Sequence, residues 1–279
     1  MSTLPRTAAD DQLGPVGRVV RFPVVWLLVG LGTVGAASTL SLGGPVLGLV
    51  CAAVAVVVYK LVMRYVARRE TPEIARRRAV PYLLFGVMIG LVFIGASILA
   101  VMTEFSFSRS PGNALSIVAN MAAVSLGAAV TEELLFRGLA LQALEKMFGS
   151  WIALAITALL FGLLHLANPG ATLWSSIAIA IEAGVLLGAA FLWRRNIWLV
   201  VGLHFAWNTA VGLLGIPVSG HPADGLLITR PTGPELLTGG GFGLEASIVP
   251  VIVSLLLAIP MLIAAGRSGT LVPMRRKGH

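Results

Sequence analysis

Charge is scarce in this sequence: Asp, Glu, Lys and Arg make up 11% of its 279 residues, under half the roughly 25% of an ordinary soluble domain. With 57% hydrophobic residues as well, the chain has too little polar surface to cover a globule, which excludes a water-soluble fold. Cysteine occurs once, at Cys51, so neither an intrachain disulfide nor a thiolate metal cluster can form. Lysine is nearly missing, 3 residues against 17 arginines. Segments of about ten residues alternating apolar and polar side chains, which would build a transmembrane barrel, are lacking too. Neither His-Glu-x-x-His nor Gly-x-Ser-x-Gly occurs, which removes the usual signatures of zincins and serine hydrolases.

What the sequence does have is long apolar runs and a mean hydropathy of +0.92. Runs such as Val80 to Met102 are apolar on every face and long enough to cross a bilayer, where about 20 residues are needed. The reading is an all-α polytopic membrane protein with about eight spans, near 24–42, 45–66, 80–103, 117–146, 151–168, 172–193, 196–214 and 246–266. A tail over 1–23, a single helical domain over 24–266 with its core at 117–214, and a basic tail over 267–279 complete the organisation. The first run lacks a small-residue cleavage site and reads as a retained helix. The fourth span has to continue through Glu132, Glu133 and Arg137, because Ser116 to Val130 alone is too short. Trp26, Trp151, Trp174, Trp193 and Trp198 fall near span ends, as headgroup-level aromatics do. Gly44/Gly48, Gly86/Gly90 and Gly184/Gly188 are small-xxx-small pairs suited to close helix packing. The longest connection, 216–245, reads as a mobile loop or a partial lid.

The net charge of +8 is not the footprint of a nucleic-acid binder, because the basic residues sit in short clusters between apolar runs. If both tails lie inside, 18 of the 20 cations fall on the inner side or in the fourth span and only Arg109 and Arg230 fall outside. That asymmetry predicts cytoplasmic termini, and setting aside Arg137 as intramembrane leaves it intact.

A charge near the bilayer centre costs roughly 2.5 to 3.5 kcal/mol on insertion scales, so each one calls for a reason. The polar groups in the spans are Glu132, Glu133 and Arg137, then His165, Glu182, His204 and Asn208. Glu133 and Arg137 are four apart and can form an intrahelical ion pair. Glu132, turned about 100° from Glu133, is left over as a catalytic candidate. Phe161 and His165 share one helical stripe, as do His204 and Asn208. Each histidine alone would suit a hydrogen-bonded core position, but two histidines, an amide and a carboxylate on three helices suit hydrolysis. A buried carboxylate can act as general base toward water while imidazole and amide donors stabilise an oxyanion. Alternatively, two neutral imidazoles and a carboxylate can hold a divalent ion such as zinc with an open position for water.

The series Glu132-Glu133-Leu-Leu-Phe-Arg137, Phe161-Gly-Leu-Leu-His165 and His204-Phe-Ala-Trp-Asn208 resembles the E-E-x-x-x-R, F-x-x-x-H and H-x-x-x-N motifs of the CAAX protease and bacteriocin-processing (CPBP) family of intramembrane endopeptidases. The resemblance covers Thr131 to Asn208. It implies that Glu132 with His165 activates the attacking water, that His204 with Asn208 stabilises the tetrahedral intermediate, and that Glu133 and Arg137 support them. Because family members are also described as metalloproteases, it leaves a metal such as zinc at Glu132, His165 and His204 open. It implies a membrane-embedded or lipidated peptide substrate. The Arg-, Ala-, Val- and Gly-rich composition points to a GC-rich bacterium and its plasma membrane, where a prenylated substrate is not expected. Glu182, outside the motifs, is expected to neutralise Arg137 or bond a histidine, or else to line the substrate cavity.

Two other classes compete. A proton-coupled transporter would also carry intramembrane carboxylates and imidazoles, but the matched broken helices and repeated halves of many transporters are not evident. A non-catalytic immunity protein that sequesters a peptide would be marked by loss of a motif residue, and all are present.

Overall fold

A computed structural model of the protein describes residues 22–41 and 43–274. The tail expected over 1–23 falls, except for Phe22 and Pro23, outside the described residues, as do Arg275, Arg276 and Lys277 of the basic C-terminal tail. The fold is all-α and polytopic. Six helical segments are long and apolar enough to cross a membrane, and apolar helices over Pro23–Ser38 and Ile197–Leu213 are shorter.

In chain order, α1 is Pro23–Ser41, α2 Pro45–Leu61 and α3 Ala79–Val101. Helix α4, Ala114–Glu133, runs on through a π-helical stretch, Leu134–Leu141, into α5, Gln142–Phe148. Helix α6 is Ser150–Leu164; α7, Leu173–Ile179, passes through a second π turn, Ala180–Val185, into α8, Leu186–Arg194; α9 is Ile197–Leu213 and α10 Ile248–Arg267. In the fourth span the helix does run through its charges, switching to π geometry directly after Glu133.

The starts of these helices are written in local chemistry. Asn113 accepts from the Ser116 N–H at 3.0 Å, and Thr172 and Ser175 form a reciprocal capping box. Asn196 accepts from the N–H groups of Trp198 and Leu199, and Ser247 accepts from Val249. Each satisfies donors that a helix cannot satisfy itself.

Close packing places α9. A Cβ on Gly86 would stand 2.0 Å from the Leu199 carbonyl oxygen, one on Gly90 2.6 Å from that of Leu203, and one on Gly202 2.1 Å from that of Leu83. These three positions therefore let α3 and α9 touch backbone to backbone, as small residues do in membrane bundles. The Gly184/Gly188 pair meets Ala158 and Leu154 of α6, and Gly48 meets Gly127 of α4. Gly44 is a departure from expectation. It lies in the α1–α2 turn at φ 126°, with no atom near its would-be Cβ. Trp26 lies in the first turn of α1, near a span end as expected, and is buried there against Lys146.

One end of the bundle is tied by ion pairs, Arg69 with Glu73 at 2.9 Å and Arg195 with Glu145 at 2.5 Å. At the opposite end a two-stranded antiparallel ribbon forms, β1 (Phe105–Arg109) pairing with β2 (Leu227–Pro231). That ribbon is a small addition to the all-helical reading and anchors the 216–245 connection to the α3–α4 connection.

Candidate active site

Three helices bring their polar side chains to one cavity of about 730 Å³, lined by Glu132 at the end of α4, His165 at the end of α6, and His204 and Asn208 of α9. Apolar groups, among them Leu135, Phe136, Phe161, Leu164, Ile179 and Trp207, make up much of the remaining wall.

The two adjacent glutamates have different surroundings. Glu133 is fully buried, its Oε1 accepting from Arg137 Nη1 at 2.9 Å and lying 2.9 Å from His204 Nδ1. Arg137, also buried, donates its other terminal nitrogen to the carbonyls of Ala183 at 2.8 Å and Gly184 at 3.2 Å. Glu132 instead keeps 23% of its side chain exposed to the cavity, with Oε2 4.0 Å from His204 Nε2.

Both histidines have their ring orientation fixed from behind. His165 Nδ1 lies 2.7 Å from the Phe161 carbonyl oxygen. A carbonyl only accepts, so Nδ1 carries the proton and Nε2 of the neutral ring presents a lone pair. In the same way the Glu133 carboxylate holds the Nδ1–H of His204 and leaves its Nε2 toward Glu132. Phe161 supports both rings. Its centroid is 4.7 Å from that of His165 and 6.4 Å from that of His204, and the Arg137 guanidinium carbon lies 5.1 Å from it.

The expected role of Glu182 requires correction. Arg137 is satisfied by Glu133 and by backbone carbonyls of the Ala180–Val185 π turn, and Glu182 does not face the cavity. Its carboxylate is completely buried, and both oxygens lack a hydrogen-bond partner among the described residues. The π turn meets Arg137 through the carbonyls of Ala183 and Gly184 and not through the Glu182 carboxylate.

Donor chemistry at the site suits a divalent ion, since each imidazole has its far nitrogen held by an acceptor in the manner of metal-bound histidines. As placed, however, no three His, Cys, Asp or Glu side chains among the described residues are grouped as one ion would require.

Other cavity residues were not identified in the sequence. His221 and Glu245, at the two ends of the long connection, line the cavity together with Ser219 and Asn168. Ser219 is clamped from both sides, its N–H donating to Glu245 and its carbonyl accepting from Asn168 Nδ2 at 2.9 Å. Burial pushes the Glu245 carboxyl up to about 7, against the opposing hydrogen bonds from Ser219. The connection thus lies over the site as a partial lid. Nothing in its own sequence, a stretch rich in Gly and Pro, marks His221 or Glu245, because only the fold brings them to His165.

No curated protein and no solved structure matches the chain. Residues 114–210, about a third of the chain and the stretch that holds all three motifs, match the family described as Type II CAAX prenyl endopeptidase Rce1-like.

Proposed function

We propose that the protein is an intramembrane endopeptidase that hydrolyses a membrane-embedded or lipidated peptide with its own side chains. The observation that carries this reading is the convergence of Glu132, His165, His204 and Asn208 from three helices on one largely apolar cavity.

In the proposed reaction a water bound between Glu132 and His165 Nε2 gives its proton to the carboxylate as its oxygen attacks the scissile carbonyl. His204 and Asn208 donate hydrogen bonds to the oxyanion that develops. Because its Nδ1–H is committed to Glu133, His204 can donate from Nε2 only as an imidazolium, and Glu133 and Glu132 are the counter-charges beside it. Collapse of the intermediate returns the proton from Glu132 to the leaving amine. The apolar wall suits a substrate that arrives from the lipid phase, and the bacterial plasma membrane is the proposed setting.

The test is incubation of the purified full chain in detergent with a library of apolar and lipidated peptides, read by mass spectrometry. Cleavage by the wild type that is lost in Glu132→Gln supports the reading. Peptide binding without cleavage would favour a sequestering immunity protein instead.

A further inference from the structure

Helix α2 ends in an unusual way. Its last turn widens into a π turn over Val62–Val66, the Ala67 N–H bonds to the Val62 carbonyl at 3.0 Å, and the Arg69 N–H reaches back to Met63 at 2.9 Å. Between these bonds Arg68 adopts a left-handed backbone with φ 50°. Glycine normally fills such a helix-ending position, because a Cβ there costs about 1 kcal/mol.

The same conformation occurs at Arg195, φ 51°, which ends α8. There the reason is visible, because the guanidinium is engaged by the Glu145 carboxylate and the Thr270 carbonyl. Arg68 has no such partner. It is exposed, and among the described residues neither it nor Lys60 nor Arg64 takes part in an ion pair or a side-chain hydrogen bond. Arg64 only lies over the ring of Tyr65, 5.5 Å from its centroid.

Lys60 and Arg64 are four apart on the helical segment, and Arg68, in the left-handed turn past it, lines the same cleft as both. Like charges so placed repel one another. Together with Arg69, Glu70 and Thr71 they line a cleft of about 840 Å³. Arg69 is already taken up by Glu73, Tyr59 and Gln142, and Glu70 is the single carboxylate on the lining. The cluster stands at the end of a membrane-length segment, Pro45–Val66, the depth at which phospholipid phosphates lie. Topological charge bias alone calls for cations on this connection but not for an arginine where glycine would be relaxed.

We propose that the cleft at the end of α2 binds the phosphate of an anionic phospholipid headgroup through Lys60, Arg64 and Arg68.

The full chain is reconstituted in nanodiscs of phosphatidylcholine with or without phosphatidylglycerol, and its melting temperature and lipid retention by native mass spectrometry are measured. Inorganic phosphate is added in a separate arm. The wild type is expected to retain phosphatidylglycerol in preference to phosphatidylcholine and to melt higher in its presence. Lys60→Gln and Arg64→Gln are each expected to weaken that retention about fivefold, the ratio that the attraction of one interfacial cation gives. Arg68→Gly separates ligand from fold, because it relieves the backbone and removes the charge. It is expected to melt higher than the wild type in pure phosphatidylcholine and to lose the phosphatidylglycerol response. A wild type without lipid preference, an Arg68→Gly variant that keeps the full response, or an equal response to inorganic phosphate alone would overturn the proposal.

Discussion

His204 Nδ1 and Glu133 Oε1 stand 2.9 Å apart in the interior of the bundle, and the same carboxylate oxygen accepts from Arg137. One buried oxygen therefore compensates a guanidinium and orients an imidazole. Glu133→Gln leaves Arg137 with a neutral partner, and breaking a buried ion pair costs about 3 to 5 kcal/mol. The variant is expected to melt well below the wild type and to keep reduced activity, which thermal unfolding in detergent and a cleavage assay would check together.

Glu132 has no comparable structural duty, being partly open to the cavity, with no side-chain hydrogen bond among the described residues and its carboxylate 4.0 Å from His204. Glu132→Gln is expected to lower cleavage by about 100-fold or more, the scale of a lost general base, with little change in melting temperature. An active Glu132→Gln enzyme would overturn the assignment.

Helix α9 owes its position to backbone contact with α3. Gly202→Ala puts a methyl group 2.1 Å from the Leu83 carbonyl oxygen, so the two helices must separate. Activity is expected to fall with thermal stability, whereas Gly95→Ala on the same α3, where nothing lies within 4 Å of the added carbon, should leave both near wild type.

Metal content can be read directly. Because no three His, Cys, Asp or Glu side chains among the described residues are grouped around one point, and because the Asn208 amide is a poor zinc ligand, purified protein is expected to carry substoichiometric zinc and to keep its activity after chelation. Stoichiometric zinc lost along with activity, and both restored on adding it back, would turn Glu132, His165 and His204 into ligands.

The lid should respond to pH. Burial raises the Glu245 carboxyl from 4.5 to about 7, so between those values the folded chain binds a proton that the unfolded chain does not, and stability falls as pH rises through that window. Hydrogen exchange at the Ser219 amide, corrected for its intrinsic pH dependence, is expected to speed up from pH 6 to pH 8. Glu245→Gln, which keeps an acceptor without the charge, should flatten that dependence.

Much of the helical plan was legible because apolar length and cation clusters are local properties of the chain. The three motifs were legible because four-residue spacing puts Glu133 with Arg137 and Phe161 with His165 on shared helix faces. The link from Glu133 to His204 was not, since 71 residues separate them and only the packing of α9 against α4 and α3 brings them together. Glu182 was misread for a related reason. The groups that meet Arg137 there are backbone carbonyls of the π turn over Ala180–Val185, which no side-chain pattern announces.

The shortness of α9 has a further consequence. Its 17 residues rise roughly 25 Å, less than the roughly 30 Å of hydrocarbon. Past its C-terminus the chain continues as irregular backbone, with Ser219 and His221 facing the cavity. Irregular backbone at membrane depth is tolerated only where protein covers it or water reaches it. A peptidase working inside a lipid layer must be supplied with one water per bond broken, and in the proposed reaction the polar stretch that follows the shortened helix, with Ser219 and His221 on the cavity wall, is the route by which that water would arrive.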